Sequence, residues 1–98
     1  MYEIEFTQEA LGDLKSFKKF EQKKITSGIE RQLKYEPIVE TRNRFRMRPN
    51  DVAEWELRIG KYRVLYNVEN DDVKIVSIEV IALKVDNLLF VRGKRRDL

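Results

Sequence analysis

The stretch Trp55-Glu56-Leu57-Arg58-Ile59-Gly60-Lys61-Tyr62-Arg63-Val64-Leu65-Tyr66-Asn67-Val68 contains a pairing that invites chemistry. Folded about Gly60-Lys61, it sets Arg58 directly across from Arg63. Like charges opposite one another on a sheet cost up to about 1 kcal/mol. A planar guanidinium is also the side chain best shaped to grip a phosphate or carboxylate through paired hydrogen bonds. Two readings follow from this geometry. Either Glu56, diagonally near, completes a solvated Glu–Arg network, or the pair forms the floor of a concave anion-binding surface. A second run of cations lies upstream. Arg42, Arg44, Arg46 and Arg48 occupy every second position with no acid between them. In an extended chain all four would point one way, over phosphates for example. Lys61, in the turn, adds a further cation near the pair.

Other chemistries are excluded by composition. The 98 residues hold no histidine and no cysteine, which removes the commonest general base, the commonest metal ligand and every thiolate site. Catalysis would have to use Glu, Asp, Lys, Arg or Tyr. Four scattered glycines make no phosphate-cradling loop. No cofactor is implied. Net charge is +3, and the clustering of arginine into two segments favours an anionic partner, nucleic acid or an acidic protein. No apolar run is long enough to span a membrane. The start MYEIEFTQEA lacks the basic and apolar regions of a secretory signal, so a cytoplasmic location is expected.

The elements that must position these residues can be read in order. The length suits one domain, residues 1–98. Tyr2 to Phe6 alternates as a short strand, and Thr7 is placed to cap a helix. Leu11, Leu14 and Phe17, then Ile25, Ile29 and Leu33, recur at helical spacing. They predict two helices, or one broken helix, between Gln8 and Tyr35, with Pro37 as the stop. Thr41–Met47 reads as an edge strand or extended loop, and Pro49-Asn50-Asp51 as a turn. Strands are expected at Trp55–Ile59, Tyr62–Val68, Val73–Leu83 and Leu88–Val91, with a type II′ turn at Gly60-Lys61. Trp55, Leu57, Ile59, Tyr62, Val64 and Tyr66 then share one apolar face. Its aromatics are assigned to the core rather than to base stacking. Glu54, Glu56, Arg58, Arg63 and Leu65 share the other face. Arg92-Gly93 turns the chain again, and Arg92, Lys94, Arg95 and Arg96 read as a basic tail. The fold class is α+β: two N-terminal helices on a twisted antiparallel sheet, with a short extra C-terminal hairpin.

The strand–helix–helix start, Glu40-Thr41-Arg42-Asn43-Arg44, the turn Arg48-Pro49-Asn50 and the hairpin pattern WxLRxGxYRVxY together resemble the RelE/ParE toxins of toxin–antitoxin modules. That resemblance implies a compact toxin neutralised by a cognate antitoxin with an acidic segment. RelE-type members cut mRNA on the ribosome without a metal. They activate the ribose 2′-OH, stabilise the phosphate and protonate the leaving 5′-oxygen, using Lys, Arg and often a C-terminal Tyr. On this resemblance Arg63 matches the phosphate-stabilising arginine and Arg58 is its neighbour. Lys84, by its spacing from Arg63, or Arg95, by the local Gly93-Lys94-Arg95 similarity, is a further basic position, with Lys84 preferred. Arg42, Arg44, Arg46, Arg48 and Lys61 would contact RNA. Glu54 and Glu56 stand where RelE-type enzymes carry lysines, and no C-terminal Tyr is present. Glu56 could serve instead as a general base beside the two arginines. ParE-type members poison DNA gyrase without cutting RNA, and the same departures suit that branch, or a member that has lost catalysis and acts as a binding module.

Overall fold

The computed structural model describes residues 1–98. Strand β1, Glu3–Phe6, leads through Thr7 into helix α1, Gln8–Lys15. The Thr7 hydroxyl accepts the Ala10 N–H at 3.0 Å, the expected cap. Ser16-Phe17-Lys18 separates α1 from α2, Lys19–Leu33. The α2 start is closed by the Glu21 carboxylate, which accepts the Lys18 N–H at 3.1 Å. The chain therefore forms two helices. Their buried sides are centred on Ala10 and Leu14, then on Ile25, Ile29 and Leu33. Leu11, expected in the first stripe, is instead 40% exposed, because α1 turns Ala10 and Asp13 inward.

Six further strands follow: β2 Arg44–Arg46, β3 Trp55–Ile59, β4 Tyr62–Glu69, β5 Ile75–Val85, β6 Leu88–Val91 and β7 Lys94–Arg96. They pair antiparallel in chain order, β2-β3-β4-β5-β6-β7, while β1 pairs parallel to the first half of β5. The turns match their residues. Gly60 has φ +58° and Lys61 is not left-handed, as a type II′ turn requires. Asp86-Asn87 and Arg92-Gly93 are left-handed at both positions, the type I′ signature. Lys94–Arg96 is thus the return strand of the expected short C-terminal hairpin, with its side chains exposed.

Both helices cover one face of the sheet. There Trp55, Leu57, Ile59, Tyr62, Val64 and Tyr66 meet Ile25, Ile29 and Leu33 in the main core. Gly28 is needed at the closest approach, because a Cβ there would lie 2.6 Å from Ile59 Cδ1. The second face is not simply polar. Ala53, Leu65, Val80, Ala82 and Val91 form a smaller buried cluster there, with Met47, Val52, Leu89 and Leu98 packed on it.

One irregularity governs which side chains reach that face. Tyr66 pairs with Ile78 but Leu65 pairs with Val80, so β5 carries one extra residue, a β-bulge at Glu79. Before it, Val76 and Ile78 face the helices. After it, Ile81 joins the main core, while Val80 and Ala82 join the second cluster. The bulge sits where β5 has no strand on its outer side. β1 ends opposite Ile78, and the pairing with β6 runs from Val85 back only to Leu83. Helix α1 fills this gap. Thr7 Oγ1 donates to the Glu79 carbonyl, and the Asp13 carboxylate accepts the Ile81 N–H at 3.1 Å. Burial raises the Asp13 carboxyl, against the opposing pull of the Ile81 N–H and of Arg92 at 2.9 Å.

Candidate functional site

The register places Arg58 opposite Arg63, as the hairpin pattern predicts. The two guanidinium groups diverge, which eases the like-charge repulsion, although burial and then Arg58 still pull Arg63 down. Arg58 is exposed and lies over the Phe45 ring at 4.7 Å, a favourable cation–π geometry. Arg63 turns inward. Its Nη1 donates to the Gly60 carbonyl at 2.7 Å and the Tyr62 carbonyl at 2.9 Å. Its Nε faces Glu56 Oε2 at 3.4 Å, with no aligned hydrogen bond. Both side chains of this pair are nearly buried, at 12% and 13% exposure. The ion pair therefore acts in a weakly screened environment.

Lys84 joins them because of the bulge. Arg63 pairs with Ala82, and Lys84 lies two residues along the same face. Leu89 pairs with Lys84 and Arg96 pairs with Leu89, so Arg96 falls on this face too. Arg95 pairs with Phe90 and points to the opposite side. Between the two possible basic positions, the register thus brings Lys84 to Arg63 and Glu56. A cleft of about 210 Å³ opens here, with Arg48, Glu56, Lys84, Arg96 and Leu98 in its wall. Glu56 is its electrostatic centre. Burial raises the Glu56 carboxyl above its ordinary value, while Arg63, Lys84 and Arg58 each pull it down. Burial also lowers Arg63, opposed by Glu56. Burial makes a carboxylate a stronger base, suited to proton abstraction, while cations beside it act the other way.

The upstream arginine row does not form one surface. Only Arg44–Arg46 is strand, and it is paired with β3. Arg44 and Arg46 sit opposite Leu57 and Trp55, on the helix side of the sheet. Arg44 corrects the expectation of a nucleic-acid contact. It is 6% exposed, and its guanidinium donates to the carbonyls of Val39 and Gln32. Gln32 is in the last turn of α2, where carbonyls lack helical partners, and Val39 is in the loop after it, so Arg44 is an internal staple. Arg46 lies over the Trp55 ring at 5.3 Å. Arg42 is exposed in the turn before β2. Of the four, Arg48 alone lines the cleft. Lys61 stays on the hairpin turn, 3.9 Å from Glu21, and its carbonyl accepts the Lys84 N–H. No group of three or more His, Cys, Asp or Glu side chains is placed to hold a metal ion.

The model of the ParE toxin of type II toxin–antitoxin systems matches residues 4–80. The chain belongs to the RelE/ParE superfamily of toxins from type II toxin–antitoxin systems. Its fold is similar to a chain of the RelBE2 toxin–antitoxin complex from Mycobacterium tuberculosis. That match has TM-score 0.67 and 24% identity over 85% of this chain and 98% of the other. It is similar also to a chain of the archaeal RelE–RelB complex from Pyrococcus horikoshii. Here the TM-score is 0.62, with 24% identity over 95% and 97% of the two chains. No curated protein matches in sequence. No helix of this toxin is long and apolar enough to cross a membrane.

Against the matched segment two features of the toxin stand out. Residues 88–96, which form the last hairpin, lie beyond the family match at residue 80. That hairpin brings two charged residues that sequence reasoning left in the tail: Arg96 at the cleft, and Arg92 on buried Asp13. The Arg92-Gly93 turn marked this hairpin in the sequence. Nothing local marks the partners of its arginines.

Proposed function

We propose that this toxin acts on single-stranded RNA as a RelE-like, metal-independent endoribonuclease. The observation that carries the reading is the Glu56 carboxylate held among Arg63, Lys84 and Arg58 on the helix-free face. Transfer of a ribose 2′-OH onto the adjacent phosphorus needs three things: a base for the hydroxyl proton, cations for the phosphate charge, and an acid for the 5′-oxygen. Glu56, raised by burial toward the working pH, takes the hydroxyl proton. Arg58 and the Nη2 of Arg63 neutralise the developing charge on the phosphate. Lys84 delivers a proton to the departing 5′-oxygen. Arg48 holds a neighbouring phosphate. A cognate antitoxin with an acidic segment would cover the same cations; an antitoxin partner is supported by the fold shared with chains of toxin–antitoxin complexes. The ribosome would present the mRNA, and the work would be done in the cytoplasm.

A second reading is favoured by one feature. Arg63 already uses Nη1 on two backbone carbonyls and Nε on Glu56, which suits a structural arginine and a toxin of the gyrase-directed branch. Induced expression separates the two. Mapping of mRNA 5′-ends should show new cuts with the wild type and none with Glu56→Gln or Arg63→Ala. Growth arrest with intact mRNA and impaired gyrase supercoiling would sink the nuclease reading in favour of the second.

A further inference from the structure

The cleft is roofed by the chain itself. Beyond β7, Leu98 reaches the second apolar cluster and packs there with Met47 and Val52 of the β2–β3 connection. Arg96 Nη2 lies 3.6 Å from Asp51 Oδ1 in the same connection. β7 is the last strand at one end of the sheet order and β2 the first at the other. The segment Arg96-Asp97-Leu98 therefore meets the β2–β3 connection over the helix-free face. Glu56, Lys84 and Arg48 line the same cleft as this segment. Glu56, in the wall of this cleft, is only about one-eighth exposed, too little for a polynucleotide backbone to reach it.

The fastening is weak. The Arg96–Asp51 pair is solvent-exposed on both partners, 42% and 86%, and such pairs shift an equilibrium by no more than about fivefold. Leu98 is only partly buried. The two contacts come from different kinds of force, one ionic and one apolar, and neither belongs to the main core.

We propose that Arg96–Leu98 is a strap that holds the cationic cleft shut, and that anions gain access when it lifts. RNA as the entering anion rests on the nuclease reading given above. The strap itself does not.

The test keeps the two apart. The full chain is treated with an amine-acetylating reagent, and acetylation of half-buried Lys84 is followed by mass spectrometry against exposed Lys23 as internal reference. Binding of a fluorescein-labelled single-stranded oligouridylate is measured in parallel by anisotropy. Leu98→Asp and, separately, Asp51→Lys should each raise the Lys84 rate about fivefold. The charge swap Asp51→Arg with Arg96→Asp should return it toward the wild-type value. Circular dichroism and melting of each variant check that the main core is intact, and exposed Asp51 gives a variant that leaves that core untouched. Unchanged Lys84 labelling in both single variants would overturn the strap. Faster labelling with tighter oligonucleotide binding supports strap and nuclease reading together. Faster labelling with no gain in binding upholds the strap and overturns RNA as its ligand.

Discussion

Glu56→Gln should make the toxin more stable and a tighter RNA binder, yet a poorer nuclease. Burial raises the Glu56 carboxyl despite three cations around it. Its ionised form is thus less welcome in the folded chain than in the unfolded one. The sign follows from linkage. Below the unfolded carboxyl value of 4.5, both states hold the proton and the group is neutral in its effect. As pH rises from there through the higher folded value, the unfolded state ionises first and the folded state loses ground. Each tenfold difference in proton affinity costs about 1.4 kcal/mol. Glutamine cannot ionise, so the variant escapes this loss while keeping the shape and an acceptor oxygen for Arg63. Urea unfolding should find the two proteins equal near pH 4, and the variant ahead at pH 7, with the gap opening as pH rises from 4.5. For a domain of this size each 1 kcal/mol of that gap shows as about 4–8 °C in Tm. With its internal anion gone, the Arg63, Arg58 and Lys84 cluster should bind an oligoribonucleotide more tightly, with a salt slope steeper by about one. Cleavage should drop by about 100- to 10,000-fold if the carboxylate is the base. A variant clearly less stable than wild type at pH 7 but equal at pH 4 would refute the reasoning. The 3.4 Å contact with Arg63 would then outweigh burial, and the folded carboxyl would titrate below its ordinary value.

Arg44→Leu should cost about 3 kcal/mol, because it strands the Gln32 and Val39 carbonyls, while leaving the salt dependence of RNA binding unchanged. Arg48→Ala should do the opposite, with near-native melting and a shallower salt slope. Gly12→Ala should stabilise by up to about 1 kcal/mol, since an added Cβ on α1 meets nothing within 4 Å. Gly28→Ala should destabilise by about 1–2 kcal/mol because its Cβ collides with Ile59, and paired thermal melts will show whether the two variants move apart. Tyr62 is pushed up to about 12 by burial and by its hydrogen bond to Glu21. Its phenol should therefore stay neutral well above pH 10 in a 295 nm titration. The stability it confers is full below pH 10 and is lost as pH rises toward 12, a loss that Tyr62→Phe should abolish.

Much of the hairpin chemistry was legible before any fold. Gly60 at the first turn position forced a two-residue loop, and period-two alternation then left one register with a clean apolar face. Arg58 against Arg63 followed, and so did Thr7 as cap and the assignment of Trp55, Tyr62 and Tyr66 to the core. These are properties of neighbours in the chain, or of residues tied by a short turn. The arginine row shows where that reasoning stops. Alternation marks which side chains share a face, but not which face a helix will cover. Arg44 and Arg46 fell on the helix side, and Arg44 became a staple for carbonyls that only the folded α2–β2 connection brings within reach.

The site divides along the same line. Composition alone removed histidine, cysteine and phosphate-loop chemistry, and spacing alone paired the two arginines. Lys84 and Arg96 were decided by tertiary structure. Strict alternation along β5 would have put Lys84 on the helix side with Val76 and Ile78. The bulge at Glu79 reversed the phase, and helix α1 supports it through Thr7 and Asp13 from more than sixty residues away in sequence. Arg96 reached the cleft through two successive hairpins and an ion pair to Asp51. A bulge and a long-range ion pair satisfy groups that the sheet leaves open, and which groups are left open is fixed only once every strand has found its neighbour.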